Sequence, residues 1–182
     1  SVVEALYSAG YENGCYVDIK WVDSEEVTPD TAAEIYKGVD GIIVPGGFGS
    51  RGVEGMIETC RYAREHDLPY FGICLGMQIM VMEYARHVCN LAGATSGEFD
   101  ENAKYKVIDL MPDQQGNIPK GGTMRLGAYP CSPDGRIVET VEIEGDRFFV
   151  GAQFHPEFKS RPNRSHPLFR GFIASCLKTR NK

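Results

Sequence analysis

Cys74 has the surroundings of a working nucleophile. In Gly72-Ile73-Cys74-Leu75-Gly76 it stands between two glycines, after the apolar run 68–73 and before a helical pattern over 75–88. This is the G-x-nucleophile-x-G spacing of a sharp strand-to-helix turn, with cysteine in place of serine. The glycines have a steric reason: the backbone at such a turn is strained, and neighbouring side chains would collide. The turn places Cys74 at a helix N-terminus, where the positive end of the dipole and free N–H groups favour thiolate over thiol. The Leu75 N–H can then face an oxyanion formed when the sulfur attacks a carbonyl. Cys15, Cys60, Cys89 and Cys176 read instead as buried structural thiols.

A sulfur nucleophile needs a partner that moves a proton to the leaving group. Of the four histidines, His155 has the best setting, in Gln153-Phe154-His155-Pro156-Glu157 directly after an apolar strand. Two residues apart in an extended stretch, His155 and Glu157 project to one side. A carboxylate there holds the imidazole in its working tautomer and stabilises its charged form. His66, in a charged turn, His87, near a helix C-terminus, and His166, before a proline that opens the last helix, have simpler structural readings.

A third feature is Pro45-Gly46-Gly47-Phe48-Gly49 at the end of the run 41–44. It matches neither G-x-x-x-x-G-K-[ST] nor G-x-G-x-x-G, so a phosphate cradle is weakly supported. A second oxyanion donor is the better reading, with a glycine N–H facing that of Leu75.

The elements needed to hold these residues alternate. A helix opens with a Ser1/Glu4 capping box and closes at Gly10. Cys15, Val17, Ile19 and Trp21 alternate as a strand, and Thr28-Pro29-Asp30 opens a short helix. Residues 41–44 and 68–73 read as buried parallel strands. Val53, Met56, Ile57 and Cys60 have helical spacing. This gives an α/β fold of three layers, with a mostly parallel central sheet and helices on both faces. The second half reads as strands over 107–110, 123–129, 136–143 and 148–154, which adds a small antiparallel portion, and it ends in a helix through Leu168, Phe169, Phe172, Ile173 and Cys176.

At 182 residues and 42% hydrophobic content the chain suits one domain over residues 1–182. A net charge of −6 gives no electrostatic reason to bind nucleic acid. We expect no membrane span and no signal peptide. Six cysteines without C-x-x-C spacing point to free thiols in the cytoplasm and to no metal site.

Taken together, these segments resemble the class I (triad) glutamine amidotransferases. The residues that carry the likeness are 44–49 (V-P-G-G-F-G), 51–55 (R-G-V-E-G), 72–78 (G-I-C-L-G-M-Q) and 97–99 (G-E-F). They continue in 121–130 (G-G-T-M-R-L-G-A-Y-P), 153–162 (Q-F-H-P-E-F-K-S-R-P) and 166–172 (H-P-L-F-R-G-F). The finer likeness is to the branch whose glutaminase domain is joined to a synthetase that aminates UTP to CTP. The resemblance implies a flavodoxin-like fold and a catalytic set of Cys74, His155 and Glu157. It implies glutamine contacts at Gly46, Gly47, Phe48, Leu75, Gly76, Met77, Gln78 and Glu98. L-glutamine is then the substrate, hydrolysed to glutamate and ammonia through a cysteinyl thioester. The glutaminase domain needs no cofactor, whereas ATP, Mg and the activator GTP go with the synthetase domain, in a full-length homotetramer.

The sequence departs from that pattern in three places. Between Tyr129-Pro130 and Ser132-Pro133 the family has a longer segment with a basic run, including an arginine that binds glutamine, so residues are expected to be missing between Cys131 and Ser132. The family's first strand is not found before Ser1, and Gly97 replaces a commoner threonine. Two alternatives remain at this level: another cysteine-elbow hydrolase of the same fold (gamma-glutamyl hydrolase or peptidase-like), and a noncatalytic regulatory domain.

Overall fold

The computed structural model describes residues 1–109, 138–145 and 147–180. The strand read at 123–129, the junction at Cys131 and part of the strand read at 136–143 lie outside the described residues.

A four-stranded sheet forms the centre, in the order β1 (Ile42–Val44), β2 (Tyr70–Ile73), β6 (Phe149–Ala152), β5 (Thr140–Glu142). The first three strands are mutually parallel, with Val44 opposite Gly72 and Gly72 opposite Gly151, and β5 runs antiparallel to β6. A separate two-stranded pair joins β3 (Thr95–Ser96) and β4 (Lys106–Ile108). The fold expected from the alternation of elements is therefore the one observed.

Side chains of successive strand residues point to opposite faces, and here they feed two cores. Ile42, Val44, Tyr70 and Phe149 enter one core with α3 (Val53–Glu65) and α4 (Leu75–His87). Ile43, Phe71, Ile73 and Ala152 enter the other with α1 (Val2–Glu12) and α5 (Pro167–Arg180). Phe71 is fully buried and meets Phe169 edge-on at 5.2 Å. Burying such a ring stabilises the fold by about 2–3 kcal/mol.

Several local expectations change. Ser1 is the N-cap of α1, but its side chain makes no capping hydrogen bond. The helix also runs past Gly10 to Glu12. Gly10 lies inside it, where an added Cβ would sit 2.7 Å from Val17 Cγ2, so the glycine serves close packing and not termination. Residues 15–21 form no helix and join no described strand; Cys15, Val17 and Ile19 pack against the second core. The short helix after Thr28 is α2 (Ala32–Ile35), with Thr28 and Thr31 exchanging hydrogen bonds ahead of it. Cys60 is buried as expected, Cys15 and Cys176 are half-buried, and Cys89 is exposed, contrary to its reading as a core thiol.

Candidate active site

Three neighbouring parallel strands end on the same edge of the sheet, and each hands its chain to one part of the site. β1 leads into the glycine loop 45–49, β2 into Cys74, and β6 into residues 153–157. In open α/β sheets this carboxyl edge is where ligands bind.

Cys74 has φ 53° and ψ −105°, and it is the N-cap of α4. A non-glycine residue held there stores about 1–3 kcal/mol of strain, which the surroundings must over-determine. The Cys74 N–H donates to Ala152 O of β6 at 2.7 Å, and the Cys74 carbonyl accepts from Met77 and Gln78. The flanking glycines are required by contact. A Cβ on Gly72 would lie 2.4 Å from the Gly76 carbonyl, and one on Gly76 would lie 2.0 Å from Val44 O. Beneath the turn, the buried Tyr70 hydroxyl donates to Gly76 O at 2.9 Å.

His155 and Glu157 are both buried, and His155 Nδ1 lies 2.8 Å from Glu157 Oε1. The chain is not extended between them as expected. Pro156 opens a 3-10 turn (Pro156–Lys159) that brings the carboxylate to the ring. With Nδ1–H donated to Glu157, the neutral ring presents the Nε2 lone pair. That nitrogen is buried and has no hydrogen-bond partner among the described residues. Gly46 separates the imidazole from the cysteine: a methyl group placed on it would be 2.7 Å from His155 Cε1 and 3.4 Å from Cys74 Cβ. Both residues thus lie against Gly46, at a point where any larger side chain would intrude.

Electrostatics at the sulfur reverse the expectation of a ready-made thiolate. Burial, the largest influence, pushes the Cys74 thiol above its ordinary value. The Leu75 N–H and the Gln153 amide oppose this, while the Glu157 and Glu98 carboxylates add to it. The setting of the free site therefore favours the thiol over the thiolate.

The remaining expected residues divide. Gly47 lies against Leu75, 3.2 Å from its Cδ2 to a built Cβ, and the loop 45–49 is exposed, with Phe48 56% accessible. Glu98 is half-buried and close enough for its charge to act on Cys74. Gly76 and Met77 face inward, Gly76 onto Val44 O and Met77 beneath Gly151 of β6, which leaves only their backbone for a ligand. Gln78 is half-buried and donates to Gln153 Oε1 at 3.3 Å.

Gln153 escaped the sequence reading. Its Nε2 donates to Cys74 Sγ at 3.6 Å. The available signal was the two-residue step used for Glu157: counted backwards from His155, it reaches Gln153.

The other three histidines are occupied elsewhere. His66 stacks on Tyr62 at 3.9 Å, His87 lies 3.3 Å from Glu83, and His166 Nδ1 accepts from the Leu168 N–H.

Comparison with known proteins places this geometry in a context. A family model described as glutamine amidotransferase class-I matches residues 1–139 and 130–175. CTP synthase of Clostridium acetobutylicum is 48% identical over 227 aligned residues, which cover 100% of this chain and 42% of the relative. CTP synthase of Bacillus subtilis is 44% identical over the same coverage. The alignments run over 227 positions against 182 residues, so these relatives carry positions that have no counterpart here. The chain spans less than half the length of either relative. Among solved structures, the Trypanosoma brucei CTPS glutaminase domain with bound acivicin superposes with a TM-score of 0.85 at 31% identity, covering 97% of this chain and 87% of that one.

Proposed function

The chain belongs to the class I glutamine amidotransferases, and from that premise we propose that it hydrolyses L-glutamine to glutamate and ammonia with Cys74, His155 and Glu157 as its catalytic set. The observation that carries the reading is the strained Cys74 facing, across Gly46, a buried His155 whose other nitrogen is held by Glu157.

His155 Nε2 takes the thiol proton as Cys74 Sγ attacks the side-chain amide carbon. The oxygen gains charge and is received by the backbone N–H groups of Leu75 and Gly47. His155 returns the proton to the amide nitrogen, the C–N bond breaks, and ammonia leaves a glutamyl thioester. The same nitrogen then accepts a proton from water as it attacks the thioester carbon, and glutamate departs with the thiol restored. Glu157 holds the ring by Nδ1 throughout and stabilises its charged form. The α-amino and carboxylate groups of glutamine fall to Glu98 and Gln78 and to the backbone at residues 46–48 and 75–77.

The whole protein is read by likeness to the CTP synthases. There the ammonia serves the ATP- and Mg-dependent amination of UTP to CTP on an adjoining synthetase domain, stimulated by GTP. The resemblance assigns those nucleotides and the metal to the synthetase domain, and no step above passes through them. The complete enzyme is read as a homotetramer, which sedimentation of the full-length protein tests.

Ammonia release from glutamine, followed for the wild-type chain and Cys74→Ala, tests the glutaminase reading. We expect turnover to disappear in a variant that melts like the wild type. Turnover that survives removes Cys74 from its role, and a wild type that releases no ammonia even with the synthetase domain present identifies a noncatalytic relative.

A further inference from the structure

The amide of Gln153 lies between two groups of the site and satisfies both in one orientation. Its Nε2 donates to Cys74 Sγ at 3.6 Å, and its Oε1 accepts from Gln78 Nε2 at 3.3 Å. Once the sulfur is an anion it only accepts hydrogen bonds, so the orientation that turns the N–H toward it is the one that serves the charged state. The backbone behind Gln153 is fixed as well, because its N–H donates to Glu139 O at 2.8 Å.

We infer that Gln153 is a further catalytic residue: its amide donates to the sulfur as negative charge forms there, and Gln78 aims that amide. The inference rests on the reading of Cys74 as nucleophile. The physical need is plain. The sulfur sits in a buried setting that disfavours its charge, and two carboxylates, Glu157 and Glu98, repel an anion there. On the favourable side stand the Leu75 N–H and the Gln153 amide. During attack the Leu75 N–H turns its service to the substrate oxygen. Gln153 is then the donor left on sulfur, together with the charged ring of His155. The contact to Gln78 gives the arrangement a second property. Gln78 is a proposed substrate ligand, so a glutamine that engages it acts on the same amide that holds the nucleophile.

The test follows iodoacetamide labelling of Cys74 against pH, read on its own peptide by mass spectrometry so that other thiols do not contribute. Removing a hydrogen bond to an ionised group raises the labelling midpoint, and Gln153→Met should slow labelling about three- to tenfold at neutral pH. Gln153→Glu should move the midpoint further up by adding a third carboxylate, and Gln78→Met should move it the same way by less. A midpoint equal to wild type in a folded Gln153→Met overturns the inference. Should that variant not fold, an unmoved midpoint in Gln78→Met does so. Labelling is a property of the thiol alone. A wild type that labels normally but releases no ammonia therefore defeats the glutaminase reading, while the midpoints of the two variants still decide whether Gln153 supports charge on the sulfur.

Discussion

At Cys74 opposing influences meet on one atom. Burial and two carboxylates keep the proton on sulfur, while a backbone N–H and an amide favour its loss. The proton acceptor therefore matters as much as the nucleophile, and so does the carboxylate behind it. Glu157→Gln keeps a group of the same size at 2.8 Å from His155 Nδ1 but removes the charge that stabilises the protonated ring. It should lower kcat for ammonia release about 10²–10⁴-fold with unchanged thermal unfolding; activity near wild type would make Glu157 a packing residue. The positions of these groups were legible because each lies in a short local pattern: a cysteine between two glycines, and a histidine two residues before a glutamate. The charge on sulfur was not. Dipole reasoning at the helix start argued for thiolate, and only the surrounding burial shows which effect is larger. Gln153 was hidden for a related reason, since its contacts join residues 74, 78 and 153 through folding and an amide carries no charge to mark it.

At the level of elements, the elbow depends on how α4 is held. Its first turn lies against β1, with no room for a side chain at Gly76. Its far end is tied to α3 by Glu83, a carboxylate with no exposed surface. Arg64 Nε and Nη2 donate to it at 2.8–3.1 Å, and His87 lies at 3.3 Å. Replacing Arg64 with Met leaves that charge without its main partner and should cost about 3–5 kcal/mol in urea unfolding, with part recovered on adding Glu83→Gln. A cost under about 0.5 kcal/mol, typical of surface changes, would contradict the clasp. The helix pair α3 and α4 was readable from its periodicity, but the clasp was not, because residues 64 and 83 meet only when the helices pack. The stretch 15–21 teaches the converse. Its alternation is that of a strand, yet a ladder needs a neighbour, and none of the described strands supplies one. Pattern alone placed Cys15, Val17 and Ile19 against the core, misplaced Trp21, which is exposed, and left pairing open.

On the scale of the whole molecule, the sheet brings three distant segments of chain to one edge and covers both of its faces, so the site is set by strand order. That order, β1-β2-β6-β5, crosses from β2 to β6 over more than seventy residues of sequence, which is why the cysteine and the histidine meet. It follows from parallel pairing and buried runs only once the partners are known. Curated relatives are more than twice the length of this chain, and docking to a further domain is expected to raise glutaminase turnover above that of the chain alone. The chemistry proposed above draws only on residues of this chain. Its most direct test is rapid acid quenching of the protein with isotope-labelled glutamine, followed by digestion and mass spectrometry of the Cys74 peptide. A glutamyl thioester on Cys74 should form and decay within the first turnovers, and its formation should slow sharply in His155→Gln, because the same ring takes the thiol proton and protonates the leaving nitrogen. Label found on another residue, or ammonia released with no covalent species on Cys74 at any quench time, would contradict it.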